Sequence, residues 1–205
     1  MRAPVLLALL LLACFSSAAE IDSKVQAALA AEARPATDRE RDRNRRPLAT
    51  LQFFGLQDDM RVLELIPGGG WYTRVLAPVL AENGKLYVAI GTNRVAENIL
   101  PEPGFDKVEV IETGPNLRRP EGSRYYVLDD VDFGVTGLDM ALTFRNLHNF
   151  GAPDREKINR AVFDALKSGG LYGVVDHTRR HMERDDNENR RRIDPVLVVK
   201  EMQDV

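Results

Sequence analysis

Sulfur can carry little of this chain's chemistry. Its 205 residues include one cysteine, Cys14, which excludes an intrachain disulfide, a CxxC redox pair and a cysteine-built zinc site. An excess of charge of one sign is also missing: 28 Lys+Arg stand against 31 Asp+Glu, a formal net charge of −3. A dedicated nucleic-acid binder shows a basic surplus, so that class is set aside. Long hydrophobic runs are absent too. The unbroken apolar stretch Val5–Ala13 has nine residues, well short of the roughly 20 that a membrane-spanning helix needs. Internal repeats and low-complexity tracts are not found. What is present, 44% hydrophobic and 29% charged residues, suits one ordinary domain with a real core.

The amino end reads as an address. Arg2 supplies a positive start, Val5–Ala13 the apolar stretch, and Ser17-Ala18-Ala19 the small residues a signal peptidase needs before Glu20. Residues 1–19 are therefore expected to be a signal peptide, with the protein exported to a periplasm or secreted. A second reading of the same stretch takes Leu11-Leu12-Ala13-Cys14 as a loose lipobox and Cys14 as a lipid anchor.

Residues 20–55 read as a helical segment. Ile21 to Ala33 has helical apolar spacing through Val25 and Leu29, and Asp22 or Ser23 can cap it. The run Arg39 to Arg46 alternates in sign and reads as a solvated helix face with local ion pairs. Pro47 restarts a helix that Gly55 ends. From 56 to 205 the pattern alternates strands with helices. Strands are expected at Arg61–Ile66, Lys85–Ile90, Lys107–Ile111, Leu138–Phe144 and Leu171–Val175, with a short extended piece at Tyr125–Leu128. Helices are expected at Trp71–Leu80, Asn93–Leu100 and Pro153–Leu166, the last stopped by Gly169-Gly170; Asp194-Pro195 begins a final one. Such alternation implies an α/β fold with a Rossmann-like, doubly wound, mostly parallel sheet. Ligands of such sheets sit at the carboxyl ends of the strands.

The most informative stretch is Glu64-Leu-Ile-Pro-Gly-Gly-Gly-Trp-Tyr-Thr73. It joins a strand to a helix through Gly68, Gly69 and Gly70, which permit a tight turn and close approach of a ligand to the main chain. Amides at the start of the following helix favour a carboxylate or phosphate. Glu64 is unusual on a strand buried on both faces. It either escapes to the sheet rim or accepts from a ligand amine or hydroxyl. Trp71 and Tyr72 are core aromatics by default, but one ring could also cover a cationic ligand.

Here the chain resembles the class I S-adenosylmethionine-dependent methyltransferases, whose first motif is a strand ending in an acid followed by G-x-G-x-G. Aligned to it, Ile66, Gly68 and Gly70 occupy the three glycine positions, so the first is replaced. The resemblance implies S-adenosylmethionine as cofactor, with Gly68, Gly69 and Gly70 beside its methionine portion and Glu64 near its amino group. The family's ribose-binding acid at the end of the second strand has no counterpart in Tyr87-Val-Ala-Ile-Gly-Thr92, and Glu97 is the nearest carboxylate. Asp129 or Asp130 would meet the adenine edge. The likeness is closer still to a group of exported predicted methyltransferases, through Pro67–Thr73, Leu142–Phe150, Val174–His177 and Arg192–Pro195.

The later segments follow the fourth and fifth strands. They place Arg145, Asn146, His148 and Asn149 past one strand and Asp176-His177 past its neighbour, all facing the glycine-rich loop. An imidazole is the natural proton acceptor near neutral pH, so His148 and His177 are candidate catalytic residues, with Asn146 either holding a substrate or the cofactor's leaving side or simply forming a turn. His148 could equally be a structural histidine bonded to a carbonyl. Arg145 would attract an anionic substrate or pair with Asp176. Direct pairing of Asp176 with His177 is disfavoured, because neighbours on a strand point to opposite faces. No metal is expected, although His148, His177 and Asp176 are a conceivable ligand set. His181 lies in a charged, mobile connection over 179–192. A complete fold of this family has two further strands, so the sheet is expected to hold five strands in the order 3-2-1-4-5, with an unpaired outer edge at the fifth.

The reading that follows is an exported enzyme transferring a methyl group to a small molecule, with no nucleic-acid partner. A non-catalytic descendant that binds a small ligand or a partner protein is the alternative. A nicotinamide oxidoreductase is a third, opposed by the loop's glycine spacing.

Overall fold

A computed structural model describes residues 19–112 and 117–205. Apart from Ala19, the expected signal peptide and Cys14 fall outside the described residues. The chain is helical over residues 19–30 (α1), then through Ala36–Arg39 (α2), Asp42–Arg45 (α3) and Pro47–Phe54 (α4). Arg46 takes a left-handed φ of 45°, which separates α3 from α4 immediately before Pro47. Strands and helices then alternate: β1 Arg61–Leu65, α5 Thr73–Leu80, β2 Lys85–Ala89, α6 Asn93–Asn98, β3 Glu109–Ile111 and β4 Leu138–Phe144. A 3-10 turn at Leu147–Asn149 leads to α7 Ala152–Ala165, β5 Leu166–Val175 and α8 Pro195–Gln203.

The five strands form one sheet in the order β3-β2-β1-β4-β5, and every neighbouring pair is parallel. This is the expected Rossmann-like order, in which β1 sits at the centre and β5 at an edge. The central strands β1, β2 and β4 are buried on both sides, so their apolar residues alternate between two cores. Val62, Val88, Met140 and Leu142 pack with α1, α4 and α5. Leu63, Leu65, Ala89 and Ala141 pack with Ile158 and Val162 of α7. The amino-terminal helices are not an appendage, since Ile21, Val25, Ala28 and Leu51 belong to the same core as Val62 and Leu76.

The start of β5 differs most from the sequence pattern. Gly169-Gly170 do not end α7; they lie inside β5, which begins at Leu166 directly after the helix. The register shifts between Leu138↔Leu166 and Met140↔Leu171, so the extra residues bulge out. A Cβ on Gly170 would stand 2.9 Å from the Lys167 carbonyl oxygen and 3.0 Å from that of Leu138. Gly170 therefore answers to a close backbone approach in a bulge rather than to a helix stop.

Candidate functional site

Three central strands end the same way. The residue after β1, the residue after β2 and the residue after β4 are Ile66, Ile90 and Arg145, and their φ angles are 54°, 64° and 66°. Left-handed backbone costs an L-residue about 1–2 kcal/mol, and such strain collects where a fold has a site to build. Ile66 thus keeps a glycine-like backbone without being glycine. Its carbonyl accepts from Asn146 Nδ2 at 3.2 Å, which also donates to Thr143 Oγ1 at 3.0 Å. Asn146 thereby ties the end of β4 to the end of β1.

These strand ends enclose two cavities that share a wall. One, of about 650 Å³, is bounded by Glu64, Gly68, Gly69, Asn146, His148 and His177. The other, of about 580 Å³, is bounded by Ile90, Gly91, Thr92, Glu112, Leu128 and Asp129. Ile66, Gly68, Tyr126, Asn146 and Asn149 border both. Together they make a cleft along the carboxyl edge of the sheet. Tyr126, in the extended piece between β3 and β4, borders both cavities, its amide donating to the Asn149 carbonyl at 2.8 Å. Asp154 and Lys157 of α7 hold the same piece: Asp154 Oδ1 accepts from the Leu128 amide at 3.0 Å and Lys157 Nζ donates to the Leu128 carbonyl at 2.6 Å.

The glycines divide in their roles. Gly68 has φ +60° and nothing within 4 Å of where a Cβ would stand, so its open side faces the cleft. Gly70 borders neither cavity. A Cβ there would meet Ile99 Cδ1 at 2.0 Å, so Gly70 is required by the packing of α6 against the loop, a correction to its expected place beside a ligand. Trp71 and Tyr72 precede α5 and are 5% and 4% exposed. They border the first cavity while packed into the core: Trp71 Nε1 donates to the Asp38 carbonyl at 3.0 Å, and Tyr72 stacks on Phe144 with ring centroids 3.4 Å apart. Asp129 borders the second cavity, whereas Asp130 borders neither. Glu97 is likewise not on the cleft wall; the end of β2 stays without an acid, and the carboxylate that borders the second cavity beside Asp129 is Glu112, one residue past β3.

Glu64 stays buried at 2% exposure and accepts from Thr73 Oγ1 at 2.6 Å. Burial pushes its carboxyl up to about 7, against the opposing pull of the Thr73 hydroxyl and the Arg45 charge. His148 meets Asp176 twice. Its Nδ1 lies 2.5 Å from Asp176 Oδ1, and its amide donates to Oδ2 at 3.1 Å. Asp176 also accepts from the His177 amide at 2.7 Å. The carboxylate thus pairs with His148 across two strands, rather than with its neighbour His177 or with Arg145. In the neutral ring, a carboxylate at Nδ1 holds the proton there and leaves Nε2 as the acceptor. The rings of His148 and His177 stand 6.4 Å apart, and among the described residues no group of three His, Cys, Asp or Glu is arranged to hold a metal ion.

The charged runs hold the largest departure from the sequence reading. Arg41 and Arg45 from the alternating run near the amino end, with Asp38 just before it, border the first cavity, as do Arg190 and Arg191 from the connection after β5. A two-point pair from Arg34 to Asp42 at 2.8 and 2.9 Å fixes α3, and Arg45 lies 4.5 Å over the Trp71 ring. The 179–192 connection is organised by Asp194, which accepts from the Met182 and Val196 amides and pairs with His181 at 2.9 Å. Neither arrangement is legible in a single strand–helix pattern, because each depends on where a distant segment docks.

No protein-family model and no curated protein matches the chain. Solved structures of the same fold do. A SAM-dependent methyltransferase from Aquifex aeolicus is 20% identical, with 77% of each chain covered and a TM-score of 0.55. Human N-acetylserotonin methyltransferase in complex with SAM is 14% identical, with 93% of this chain and 51% of that one covered and a TM-score of 0.53. The 4+2 cyclase SpnF is 17% identical, with 82% of this chain and 56% of that one covered and a TM-score of 0.54. The chain therefore spans about half the length of the last two. At these identities the likeness is one of fold, and a cyclase among the neighbours shows that this fold hosts more than one reaction.

Proposed function

We propose that the chain is an S-adenosylmethionine-dependent methyltransferase that acts on a small molecule. The observation that carries this reading is the continuous cleft from the Ile90-Gly91 bend, past the open face of Gly68, to the His148–Asp176 pair. The cradle fits the cofactor, because Gly68 leaves free the space a side chain would fill. In this reading Ile90, Leu128 and Asp129 border the adenosine portion, and Glu112 accepts from ribose hydroxyls. Gly68, Gly69 and Glu64 border the methionine portion. The bound sulfonium supplies an already reactive methyl group. The protein's part is then chiefly alignment of the acceptor with it. His148, oriented by Asp176, accepts the acceptor's proton through Nε2. Asn146 holds the strand ends that place both groups. Export and a periplasmic or secreted location belong to the same proposal, on the strength of the amino-terminal sequence alone.

Calorimetric titration of the full chain with S-adenosylmethionine and S-adenosylhomocysteine tests the reading. The expected result is saturable heat with both ligands, weakened at least about tenfold by Gly68→Ala. Folded protein that takes up neither ligand at millimolar concentration would favour a non-catalytic descendant of the fold.

A further inference from the structure

The first cavity is cationic far beyond the chain as a whole. Seven arginines border it against two carboxylates, Asp38 and Glu64. Two of the seven are committed elsewhere: Arg124 pairs with Asp185 at 2.6 Å, and Arg119 donates to the Ser123 and Arg124 carbonyls. For Arg41, Arg45, Arg145, Arg190 and Arg191, no ion pair to a carboxylate is found among the described residues. These five come from three separate parts of the chain, α3 and its approach, the end of β4, and the connection before α8. They converge on one concavity.

Arg45 shows the cost of this arrangement. Its Nε is buried without a hydrogen-bond partner. Burial first, and the Arg41 and Arg145 charges next, hold its guanidinium below its ordinary value. Asp38 opposes that shift only in part; like charges gathered with too few counterions oppose folding, and a bound anion offsets that cost. The Arg145 backbone is itself held in a left-handed turn that points to the same purpose. A single carboxylate on the cofactor can engage one guanidinium two-fold, which leaves four.

Resting on the methyltransferase reading, we infer that the acceptor is a small anionic molecule, carrying a carboxylate or phosphate held by these arginines and a hydroxyl presented to His148. The cavity of about 650 Å³ has the size of a small-molecule site, and its aromatic walls, Tyr126 and Phe144, suit a planar body for that acceptor. An amine acceptor is disfavoured, since a protonated amine entering this concavity meets five unpaired guanidiniums against two carboxylates, Asp38 and Glu64.

The test is a matched set of phenols titrated calorimetrically, with and without saturating S-adenosylhomocysteine: 4-hydroxybenzoate, 4-hydroxyphenyl phosphate, the neutral 4-hydroxybenzyl alcohol, and tyramine. The expected result is that at least one anionic phenol binds about tenfold or more tightly than the neutral one, that tyramine is weakest, and that added salt erodes the preference. The carboxylate and phosphate members tell which anion the arginines favour. The exposed double variant Arg190→Gln/Arg191→Gln, checked for an unchanged melt, should shrink the anion-to-neutral ratio severalfold. Equal binding of neutral and anionic members, or no anion binding at millimolar concentration, overturns the inference. S-adenosylhomocysteine titrated alone on the same protein separates the two levels. Its binding without anion preference sinks the acceptor assignment only. Anion preference without its binding sinks the methyltransferase reading and the acceptor role together.

Discussion

Glu64 is the residue where sequence and structure say the most together. An acid in the middle of a doubly buried strand is anomalous in the sequence, and in the fold it is anomalous for the same reason: burial lifts its carboxyl to about 7. Because the folded value lies above the ordinary one of 4.5, the native state binds the extra proton between them. The stability linked to that proton is present below about 4.5 and is lost as pH rises through about 7. Glu64→Gln should therefore match the wild type at pH 4 and exceed it at pH 8, by up to the order of 3 kcal/mol, in urea denaturation at the two pH values. A constant difference across that window would place the charge elsewhere. Arg145 is the opposite case, since nothing in its sequence context announces a φ of 66°. Asparagine tolerates that geometry better, so Arg145→Asn should raise stability by about 0.5–1 kcal/mol in a thermal melt. A loss of stability would mean that its side chain makes a contact worth more than the strain.

At the scale of elements, the alternating strands and helices were legible because apolar runs, glycines and prolines mark them directly. The order of the sheet is what the resemblance to the methyltransferases implies, and the structure has it. The end of α7 falls within a residue of its expected place, but Gly169-Gly170, which carry a helix-stop signature, serve a bulge in β5 instead. The loop after β1 shows the same ambiguity at finer grain. Three consecutive glycines look equivalent in sequence, yet only packing tells Gly70, which faces Ile99, from Gly68, which faces open space. Gly70→Ala should cost roughly 2–4 kcal/mol of stability, from strained backbone and an overpacked neighbour. Gly68→Ala should cost about 1–2 kcal/mol, from backbone strain alone. Paired chemical denaturation curves check the contrast, and equal losses would contradict the division of roles. The His148–Asp176 pair was out of reach of sequence for a different reason. Two strand ends 28 residues apart meet there, and only the parallel pairing of β4 with β5 brings them together.

Over the whole molecule, the balance of charge hides its distribution. A net charge of −3 describes the surface poorly when one concavity gathers seven arginines. Summed composition excludes a general polyanion binder, but it does not register a local site assembled from segments at both ends of the chain. The same assembly explains why the amino-terminal helices share a core with the sheet: they carry Arg41 and Arg45 to the rim of the cleft. The central claim is that one cleft, along the carboxyl edges of β2, β1 and β4, receives the cofactor. The most direct test follows backbone amide shifts of isotopically labelled protein during titration with S-adenosylhomocysteine. Saturable shifts are expected at Gly68, Gly69, Gly91, Thr92 and Asp129, with α8 left unmoved. Saturable shifts confined to other surfaces, or none with the protein folded, would contradict it.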